Sequence, residues 1–452
     1  MNELLNISPI DGRYHEKTKE LSDYFSEYAL IKYRTIVELK WLLYLLDKKI
    51  INEKINQNEK KKILNILNNF NIEDAYKVKE IESTTKHDVK AVEYFLQEKF
   101  KELKLNRLIP FIHITLTSED INNTSYNLMI KDGLKVYLDN LNNLVTKLDE
   151  LSLEYKSIPM LSHTHGQNAT PTTVGKEFKI FSYRLKSIIE FVNNLKLRSK
   201  FSGAVGNYNC HIVAYPNVDW INETKKFITS LKLDYNPLTT QIESHDILCT
   251  LLSYIKIINN IIKDLNSDMW LYISRNYFTE KKKDNEVGSS VMPHKVNPIN
   301  HENSMANIEV SNGLIDALVN NLSISRMQRD LSDSSKLRNL GVIFSHSLIS
   351  IKETQTGLNK IIFNENYLKE ELNSHYEVLT EAIQTVLRKN KIDNAYEKLK
   401  KLSRGKELKK EELQDFINNL DINNDDKERL LNLTPDTYIG LSIKIVEKNT
   451  DN

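Results

Sequence analysis

Five side chains that could take part in chemistry lie in one short segment, residues 288–303. They provide two hydroxyls, an imidazole, an ammonium and a carboxylate, carried by Ser289, Ser290, His294, Lys295 and Glu302. Two prolines forbid a regular helix across 293–298, whereas the apolar spacing that follows predicts a helix from about 299 to 322. The sequence therefore predicts a polar loop that leads into a rigid helix. An ordinary surface loop before a capped helix would have the same composition.

A second polar cluster, residues 162–167, contains His163 and His165. Two histidines at positions i and i+2 cannot share one face of a helix, and no third ligand lies nearby in the sequence. This spacing argues against a zinc site. A structural role is the ordinary explanation for either histidine alone.

Two further segments predict helix starts that could bind an anion. Residues 84–88 contain a threonine and aspartate capping pair, and Thr117 stands three residues before Asp120, at the start of a helix predicted over 121–156. Helix starts present free N–H groups and a positive dipole end, so two of them could jointly hold an anion. Plain capping explains either start by itself.

Residues 329–338 form a polar segment, predicted as a turn, with two guanidiniums and several hydroxyls. Arg329 and Arg338 are forked cations, which pair well with phosphate oxygens, so this segment could cradle a phosphate. A solvated run of charges is an equally good interpretation of these residues alone.

Long helices must position these polar segments. Three runs, 134–148, 178–195 and 251–269, place apolar residues at alternating steps of three and four. That stepping is typical of helices packed nearly antiparallel in a bundle, either within one chain or between subunits. We find no convincing run of alternating strands, so the sequence predicts an all-α fold.

A chain of 452 residues is too long for one simple core. We predict an N-terminal helical domain over 1–112, a central domain of long helices over 113–364 that carries the 288–303 segment, and a C-terminal helical domain over 365–452.

Composition excludes several classes of protein. The 62 basic and 61 acidic residues give a net charge of +1, which argues against a nucleic-acid partner steered by global charge. Two cysteines provide no disulfide framework or zinc spacing. The sequence shows no apolar run long enough for a membrane span and no N-terminal signal peptide, so we expect no membrane partner and a cytoplasmic location.

Residues 288–298 resemble the signature of the fumarase/aspartase superfamily, Gly-Ser-Ser-x-Met-Pro-x-Lys-x-Asn-Pro, and match every fixed position. His294, at the variable position before the lysine, resembles the adenylosuccinate lyase family. Fumarases usually carry glycine there and argininosuccinate lyases glutamine. Similarity to the bacterial-type branch of that family continues over nearly the whole chain, in segments 8–14, 84–93, 117–123, 164–167, 202–209, 239–243, 329–338 and 434–440.

The resemblance implies a three-domain fold with a long central helical bundle, assembled as a homotetramer whose active sites are each built from three subunits. It implies elimination of fumarate from adenylosuccinate, giving AMP, and from the succinyl-carboxamide ribotide SAICAR, giving AICAR, in purine biosynthesis. It implies no metal and no organic cofactor.

The resemblance also implies roles for individual residues. Ser289 would be the general base and His165 the general acid, with Lys295 beside the closing loop and Glu302 paired with His165 to set its tautomer. Five further residues would bind the nucleotide and its phosphate, namely Arg13, Tyr14, Arg329, Ser334 and Arg338. The remaining substrate-binding residues expected are Lys86, His87, Asp88, Thr117, Ser118, Gln241, Ser290, Val296, Asn297, Asn303, Ser335, Lys336 and Leu337.

Two positions depart from the family pattern, because His163 stands where arginine is common and Asn168 where proline is common. Both flank His165 and put its local geometry in doubt. Two alternative functions stay open: another lyase of the superfamily, such as argininosuccinate lyase or fumarase, and a helical oligomer that has lost catalysis. His294 and the 329–338 segment count against the first, and the intact Ser289, His165, Lys295 and Glu302 count against the second.

Overall fold

The computed structural model describes residues 3–281, 291–292, 294–403 and 408–449. Their fold is all-α, as the sequence predicts. The helices, in chain order, are α1 (His15–Thr18), α2 (Ser22–Phe25), α3 (Glu27–Asp47), α4 (Gln57–Asn68), α5 (Ile72–Thr85), α6 (Asp88–Glu102), α7 (Ser118–Glu154), α8 (Val174–Asn194), α9 (Asn209–Ala214), α10 (Trp220–Ser230), α11 (Asp246–Ser274), α12 (Ile299–Leu322), α13 (Ser332–Leu337), α14 (Leu340–Lys360), α15 (Glu365–Ser374), α16 (Thr380–Lys389), α17 (Ala395–Ser403), α18 (Lys410–Asn418), α19 (Asn424–Leu431) and α20 (Ser442–Lys448).

Short strands, which the sequence reasoning missed, form two-stranded sheets in the described residues. They are β1 (Pro159–Thr164), β2 (Gln167–Thr173), β3 (Arg198–Ser199), β4 (Asp234–Tyr235), β5 (Phe278–Glu280) and β6 (Ile361–Phe363). The β1–β2 and β5–β6 pairs are antiparallel, and β3–β4 is parallel. Among the described residues, no helix is both long and apolar enough to cross a membrane.

The chain divides into two compact units, each assembled from three separate segments. The first unit comprises the chain up to Asn140 together with Ile189–Asn259 and Ala306–Ser350, and the second comprises Leu141–Ile188, Asn260–Met305 and the chain from Ile351. The division into domains 1–112, 113–364 and 365–452 follows chain order instead and stays a prediction.

The core of the first unit is built around α3, whose side chains are mostly buried. The indole of Trp41 is 1% exposed and lies 4.9 Å from the rings of both Phe201 and Phe227, measured between ring centroids. Each buried aromatic ring of this kind contributes about 1.5–3 kcal/mol from area alone. This cluster ties α3 to α10 and to the segment that follows β3.

The apolar spacing located the long helices well. In the run 251–269, the apolar residues at steps of three and four are all buried on α11, namely Leu251, Ile255, Ile258, Ile262, Leu265 and Met269. The helix α12 spans Ile299–Leu322, as predicted. Two local predictions were wrong in part. A helix does start within residues 84–88, since α6 begins at Asp88, but residues 84 and 85 end α5 and do not cap α6. His87 caps α6 instead by accepting a hydrogen bond at Nδ1 from the Lys90 amide, 3.1 Å away. The segment 329–338 contains the short helix α13 and is more than a turn.

A buried polar network in the second unit fixes α12. The Asn266 amide nitrogen donates to Thr354 Oγ1 at 2.8 Å, and its oxygen lies 2.6 Å from His301 Nδ1. Burial lowers the pKa of His301 to about 4, so its ring is neutral. A Cβ on Gly357 would lie 2.7 Å from this ring, so the close approach requires glycine. The network therefore holds the helix that carries Glu302.

Candidate active site

A cavity of about 510 Å³ in the first unit gathers polar side chains from five separate parts of the sequence. They come from α3, the α5–α6 junction, the start of α7, the segment before α11, and the segment 329–338 that includes α13. The lining residues are Arg34, Glu82, Lys86, His87, Asp88, Ser118, Asn122, Tyr126, Gln241, Arg329, Leu331, Ser334, Ser335 and Arg338.

Nine of the eighteen predicted binding residues line this one cavity. They are Lys86, His87, Asp88, Ser118, Gln241, Arg329, Ser334, Ser335 and Arg338. Sequence reasoning did not single out Arg34, Glu82, Asn122, Tyr126 or Leu331. The first four lie within the helices α3, α5 and α7, where they gave no distinctive pattern in the sequence, and Leu331 is an apolar residue inside the predicted polar segment 329–338.

Two helix starts border the cavity. Lys86 takes a left-handed conformation with φ of 55° and ends α5, so α6 begins only two residues later at Asp88. The second start is at Ser118, the first residue of α7. The Thr117 amide donates to Asp120 Oδ2 at 2.9 Å, as the predicted cap requires. The positive ends of α6 and α7 therefore both contribute to the cavity wall.

The cavity has an excess of positive charge. Four lining residues are cations, namely Arg34, Lys86, Arg329 and Arg338, whereas Glu82 and Asp88 are its only carboxylates among the lining residues described. Anionic ligands are favoured by such a set of forked cations and helix starts.

Asp88 holds two of these arginines in place. Its Oδ2 accepts from Arg34 at 2.7 Å and from Arg338 at 3.2 Å, and Arg338 also donates to Glu27 at 2.7 Å. Burial opposes ionisation of Asp88, but the neighbouring Arg34 and Arg338 hold its pKa below the ordinary value. Asp88 is therefore ionised at neutral pH and orients the guanidiniums.

Arg329 is oriented by three contacts on the cavity wall. Its guanidinium donates to Gln241 Oε1 at 3.3 Å and to Ser334 Oγ at 3.4 Å, and lies 3.5 Å from Glu119 Oε2. Since Glu119 is 1% exposed, this carboxylate lies behind the cavity wall. The contacts couple α7, the segment before α11 and the segment 329–338.

Glu119, His245 and Asp333 form a buried cluster behind the same wall, which sequence reasoning missed. One ligand atom from each lies within 4.8 Å of the others, so the three could in geometry hold a cation. Burial, together with the charge of Asp333, raises the pKa of Glu119 to about 7. Burial lowers the pKa of His245, but Asp333, Glu243 and Glu119 outweigh that effect and raise it above its ordinary value.

A fully buried ion pair supports the entrance to α7. Lys200 Nζ lies 2.8 Å from Asp120 Oδ1, and both side chains are 0% exposed. Asp120 also accepts from the amides of Ser202 and Gly203, and Lys200 donates to the Gly203 carbonyl at 2.6 Å. The pair therefore fixes the loop after β3 against the helix start that carries Ser118.

The predicted catalytic residues that the structure describes, His165, Lys295 and Glu302, belong to the second unit. His165 occupies the exposed tip of the β1–β2 hairpin, in a two-residue turn with φ of 55° for His165 and 73° for Gly166. A turn with two positive φ values matches the twist of an antiparallel hairpin. The His-Gly pair, with threonines recurring on both sides of it at 164, 170, 172 and 173, was the signal that could have predicted this hairpin.

Lys295 and Glu302 are exposed, before and on the first turn of α12. Glu302 Oε1 accepts from the Trp270 indole at 3.1 Å. Within the described residues of one chain, no hydrogen bond joins His165 to Glu302, so their pairing stays a prediction. Ser289 and Ser290 lie outside the described residues.

The two departures from the family pattern are direct neighbours in the hairpin, because His163 pairs with Asn168. His163 Nε2 accepts from Arg275 at 2.7 Å, and burial and that arginine lower the pKa of His163. Asn168 lies 3.1 Å from His375 Nδ1. Both side chains therefore have partners that hold the hairpin without displacing His165 from its tip.

The other predicted binding residues do not line the cavity in the described part of the chain. Arg13 and Tyr14 lie in the turn before α1, Val296 and Asn297 in the loop before α12, and Asn303 on α12. Thr117 precedes α7. Lys336 donates to Ser332 Oγ at 3.5 Å, and the side chain of Leu337 is buried.

Comparisons with known proteins identify the family of this chain. Residues 12–310 match a family described as lyase, and residues 325–439 match one described as adenylosuccinate lyase C-terminal. The chain is 47% identical to the adenylosuccinate lyase of Buchnera aphidicola subsp. Schizaphis graminum over 99% of both chains. It is 46% and 44% identical to the adenylosuccinate lyases of Haemophilus influenzae and Escherichia coli K12, again over 99% of each chain.

Solved structures show the same fold at low identity. A fumarate lyase from Mesorhizobium sp. BNC1 aligns with a TM-score of 0.77 and 16% identity, covering 96% of this chain and 98% of that one. The 3-carboxy-cis,cis-muconate lactonizing enzyme from Pseudomonas putida aligns with a TM-score of 0.75 and 17% identity, covering 96% of both. These likenesses show that the chain has the same fold as these two enzymes.

Proposed function

Because the chain belongs to the adenylosuccinate lyase family and is a lyase, we propose that it eliminates fumarate from adenylosuccinate, releasing AMP, and from SAICAR, releasing AICAR. The observation that carries this proposal is the cationic cavity of the first unit, which combines two helix starts with four cationic side chains. Both substrates carry a phosphate and a dicarboxylate, the kind of ligand that such a cavity favours.

The elimination breaks one C–H bond and one C–N bond. A general base removes the proton from the succinyl carbon beside a carboxylate, and the electron pair forms a doubly charged aci-carboxylate. That pair then forms the double bond of fumarate as the C–N bond breaks, and a general acid protonates the departing nitrogen. Cations that face the aci-carboxylate stabilise it in the transition state.

We assign the base to Ser289 and the acid to His165. A free serine hydroxyl is a poor base, so Ser289 would need a dry, cationic surrounding, which Lys295 would help to supply as its loop closes. His165 would donate its proton from the hairpin tip, with Glu302 setting its tautomer.

The exposure of these residues supports assembly of the site from several chains. His165, Lys295 and Glu302 are all exposed in the single chain. Acid–base groups act best where water is excluded, which exposed side chains achieve only by covering. We propose a homotetramer in which neighbouring subunits provide this cover and contribute residues to each site, in a cytoplasmic enzyme that needs no metal or organic cofactor.

Mixing two inactive variants tests the shared site. If Ser289 and His165 of one site come from different chains, randomly mixed His165→Ala and Ser289→Ala subunits should recover about a quarter of wild-type activity, since about one site in four then has both residues intact. Activity is measured after subunit exchange, which mass spectrometry of isotope-labelled chains verifies. An absence of recovery in verified mixed oligomers would place both residues in one chain.

Substitution of Arg338 tests the phosphate contact. The phosphate is remote from the bonds that break, so its contacts should be equally strong in ground state and transition state. Arg338→Ala is expected to raise KM and to cost about 2–3 kcal/mol in kcat/KM, with a smaller loss in kcat. The variant should also lose most of its preference for adenylosuccinate over the dephosphorylated succinyl-nucleoside.

Arg326→Ala is the matched control, because Arg326 is highly exposed, pairs only with Asp330 among the described residues, and does not line the cavity. Its KM should stay within about twofold of wild type, as for an ordinary surface charge. If Arg338→Ala keeps the preference for the phosphorylated substrate, the segment 329–338 is a solvated run of charges.

A further inference from the structure

Three buried polar atoms behind the cavity wall have no hydrogen-bond partner among the described residues. They are Glu119 Oε1, His245 Nε2 and Asp333 Oδ2. Their side chains are all at least nine-tenths buried, so leaving them unsatisfied would be costly. The three residues are the same ones that form the buried cluster, in which one ligand atom of each lies within 4.8 Å of the others. A positive charge or a hydrogen-bond partner must therefore offset the cost of burying two carboxylates and an imidazole together.

A proton on His245 is the compensation that fits the surrounding charges. The ring nitrogens lie 3.7 Å from Asp333 Oδ2 and 3.9 Å from Glu243 Oε2, so the imidazole stands between carboxylates. The other charged groups nearby are Arg329, at 3.5 Å from Glu119, and the Asp120–Lys200 pair, whose charges already balance. A divalent cation fits less well, because a protonated imidazole cannot be a ligand and a guanidinium would repel the ion.

We propose that His245 is a positioning residue that, as an imidazolium, acts as the counterion of Glu119 and Asp333 and so leaves Arg329 available to bind the anionic part of the substrate. This inference rests on the proposed function. With a neutral residue at 245, the buried carboxylates would attract the Arg329 guanidinium more strongly and would compete with the substrate for it. Arg329 would then bind the substrate less well, although it remains in place.

The proposal predicts a dependence of KM on pH. The carboxylates of Asp333, Glu243 and Glu119 outweigh burial and raise the pKa of His245, which loses its proton as the pH rises through that pKa. Glu119 has a pKa of about 7 and gains its charge above that pH. Both changes make the cluster more negative as pH rises. KM for adenylosuccinate should therefore rise above neutral pH, on top of any change due to the substrate itself.

Two substitutions form the test. His245→Gln removes the cation, and KM is expected to rise about tenfold at about pH 8, with a smaller rise at about pH 6, where Glu119 is largely neutral. Adding Glu119→Gln removes one of the charges that compete for Arg329. The double variant His245→Gln/Glu119→Gln should return KM to within about threefold of wild type. A merely structural role of His245 would not be rescued by a second buried substitution.

His346→Gln is the matched control, because His346 is also buried in the first unit but bonds to Asn307, and burial lowers its pKa. This variant should keep the wild-type dependence of KM on pH. If His245→Gln does not fold, Glu119→Gln alone decides, since it removes one of the two charge changes and should make the rise in KM above neutral pH smaller. An unchanged KM in His245→Gln, a lack of rescue in the double variant, or an unaltered pH dependence in Glu119→Gln would each overturn the proposal.

Metal analysis of the purified wild-type protein tests the alternative that a divalent cation occupies the cluster. One equivalent of a divalent metal, whose removal by a chelator raises KM, would replace His245 protonation as the explanation. If the wild type does not cleave adenylosuccinate, the proposed function fails first. AMP affinity measured by calorimetry then provides the same comparison of variants, because AMP carries the phosphate that the cavity would bind.

Discussion

Replacing His165 or Ser289 by alanine is expected to lower kcat at least about a hundredfold, the usual contribution of a general acid or base. Without the acid, the departing nitrogen must leave as an anion or wait for a proton from water. Without the base, the proton beside the carboxylate stays in place. Steady-state kinetics with adenylosuccinate measures both effects, while circular dichroism and native mass should stay unchanged.

Two further variants separate chemistry from backbone strain at the hairpin tip. His165→Asn tolerates the left-handed conformation better than most residues, so it removes the acid and preserves the turn. It should be as inactive as His165→Ala. His163→Ala, two residues away in β1, should retain kcat within about tenfold, since it loses contacts to Arg275 and Tyr277 but no group assigned to the chemistry. Near-normal turnover in either His165 variant would remove this residue from the mechanism.

Asp120→Asn is expected to be strongly destabilising. The substitution keeps the size of the side chain but leaves Lys200 as a buried charge without its counterion, at a cost of about 3–5 kcal/mol. It also weakens the hydrogen bonds that the carboxylate accepts from the amides of Ser202 and Gly203. Urea denaturation monitored by circular dichroism measures the change in the free energy of unfolding.

The matched control is an exposed ion pair of similar length in the same unit. Lys60 and Asp47 lie 2.6 Å apart but are partly exposed, so Asp47→Asn should cost less than about 1 kcal/mol. The double variant Asp120→Asn/Lys200→Met should regain part of the lost stability, because it removes the unpaired charge. Equal effects of Asp120→Asn and Asp47→Asn would contradict the account of the buried pair.

The sequence predicted the features that depend on local chemistry. Helix α12 begins after Pro298, because a proline ring clashes with the backbone of a helical turn that precedes it. The apolar spacing that follows Pro298 locates the end of the helix at Leu322. The polar segments containing Lys86, Ser118 and Arg329 were each identified separately. That they meet in one cavity followed only from the family resemblance, since sequence patterns carry no information on which distant segments pack together.

The features that the sequence reasoning missed depend on tertiary burial. Glu119 and His245 look like ordinary polar residues beside a helix start, and nothing local shows that both are almost completely buried. Likewise, nothing in the sequence around Lys200 shows that its charge pairs with Asp120, which lies eighty residues earlier in the chain. The hairpin around His165 was missed for a different reason, because its strands are short and contain few large apolar side chains.

The most direct test of the proposed function is an ultraviolet assay of the purified protein with adenylosuccinate, argininosuccinate and malate in turn. We expect the spectral change that accompanies conversion of adenylosuccinate to AMP, with fumarate released in equal amount, and no fumarate from the other two substrates. Fumarate from argininosuccinate or malate, without cleavage of adenylosuccinate, would assign another activity of the superfamily. Folded protein that cleaves none of the three would contradict the assignment of an active lyase.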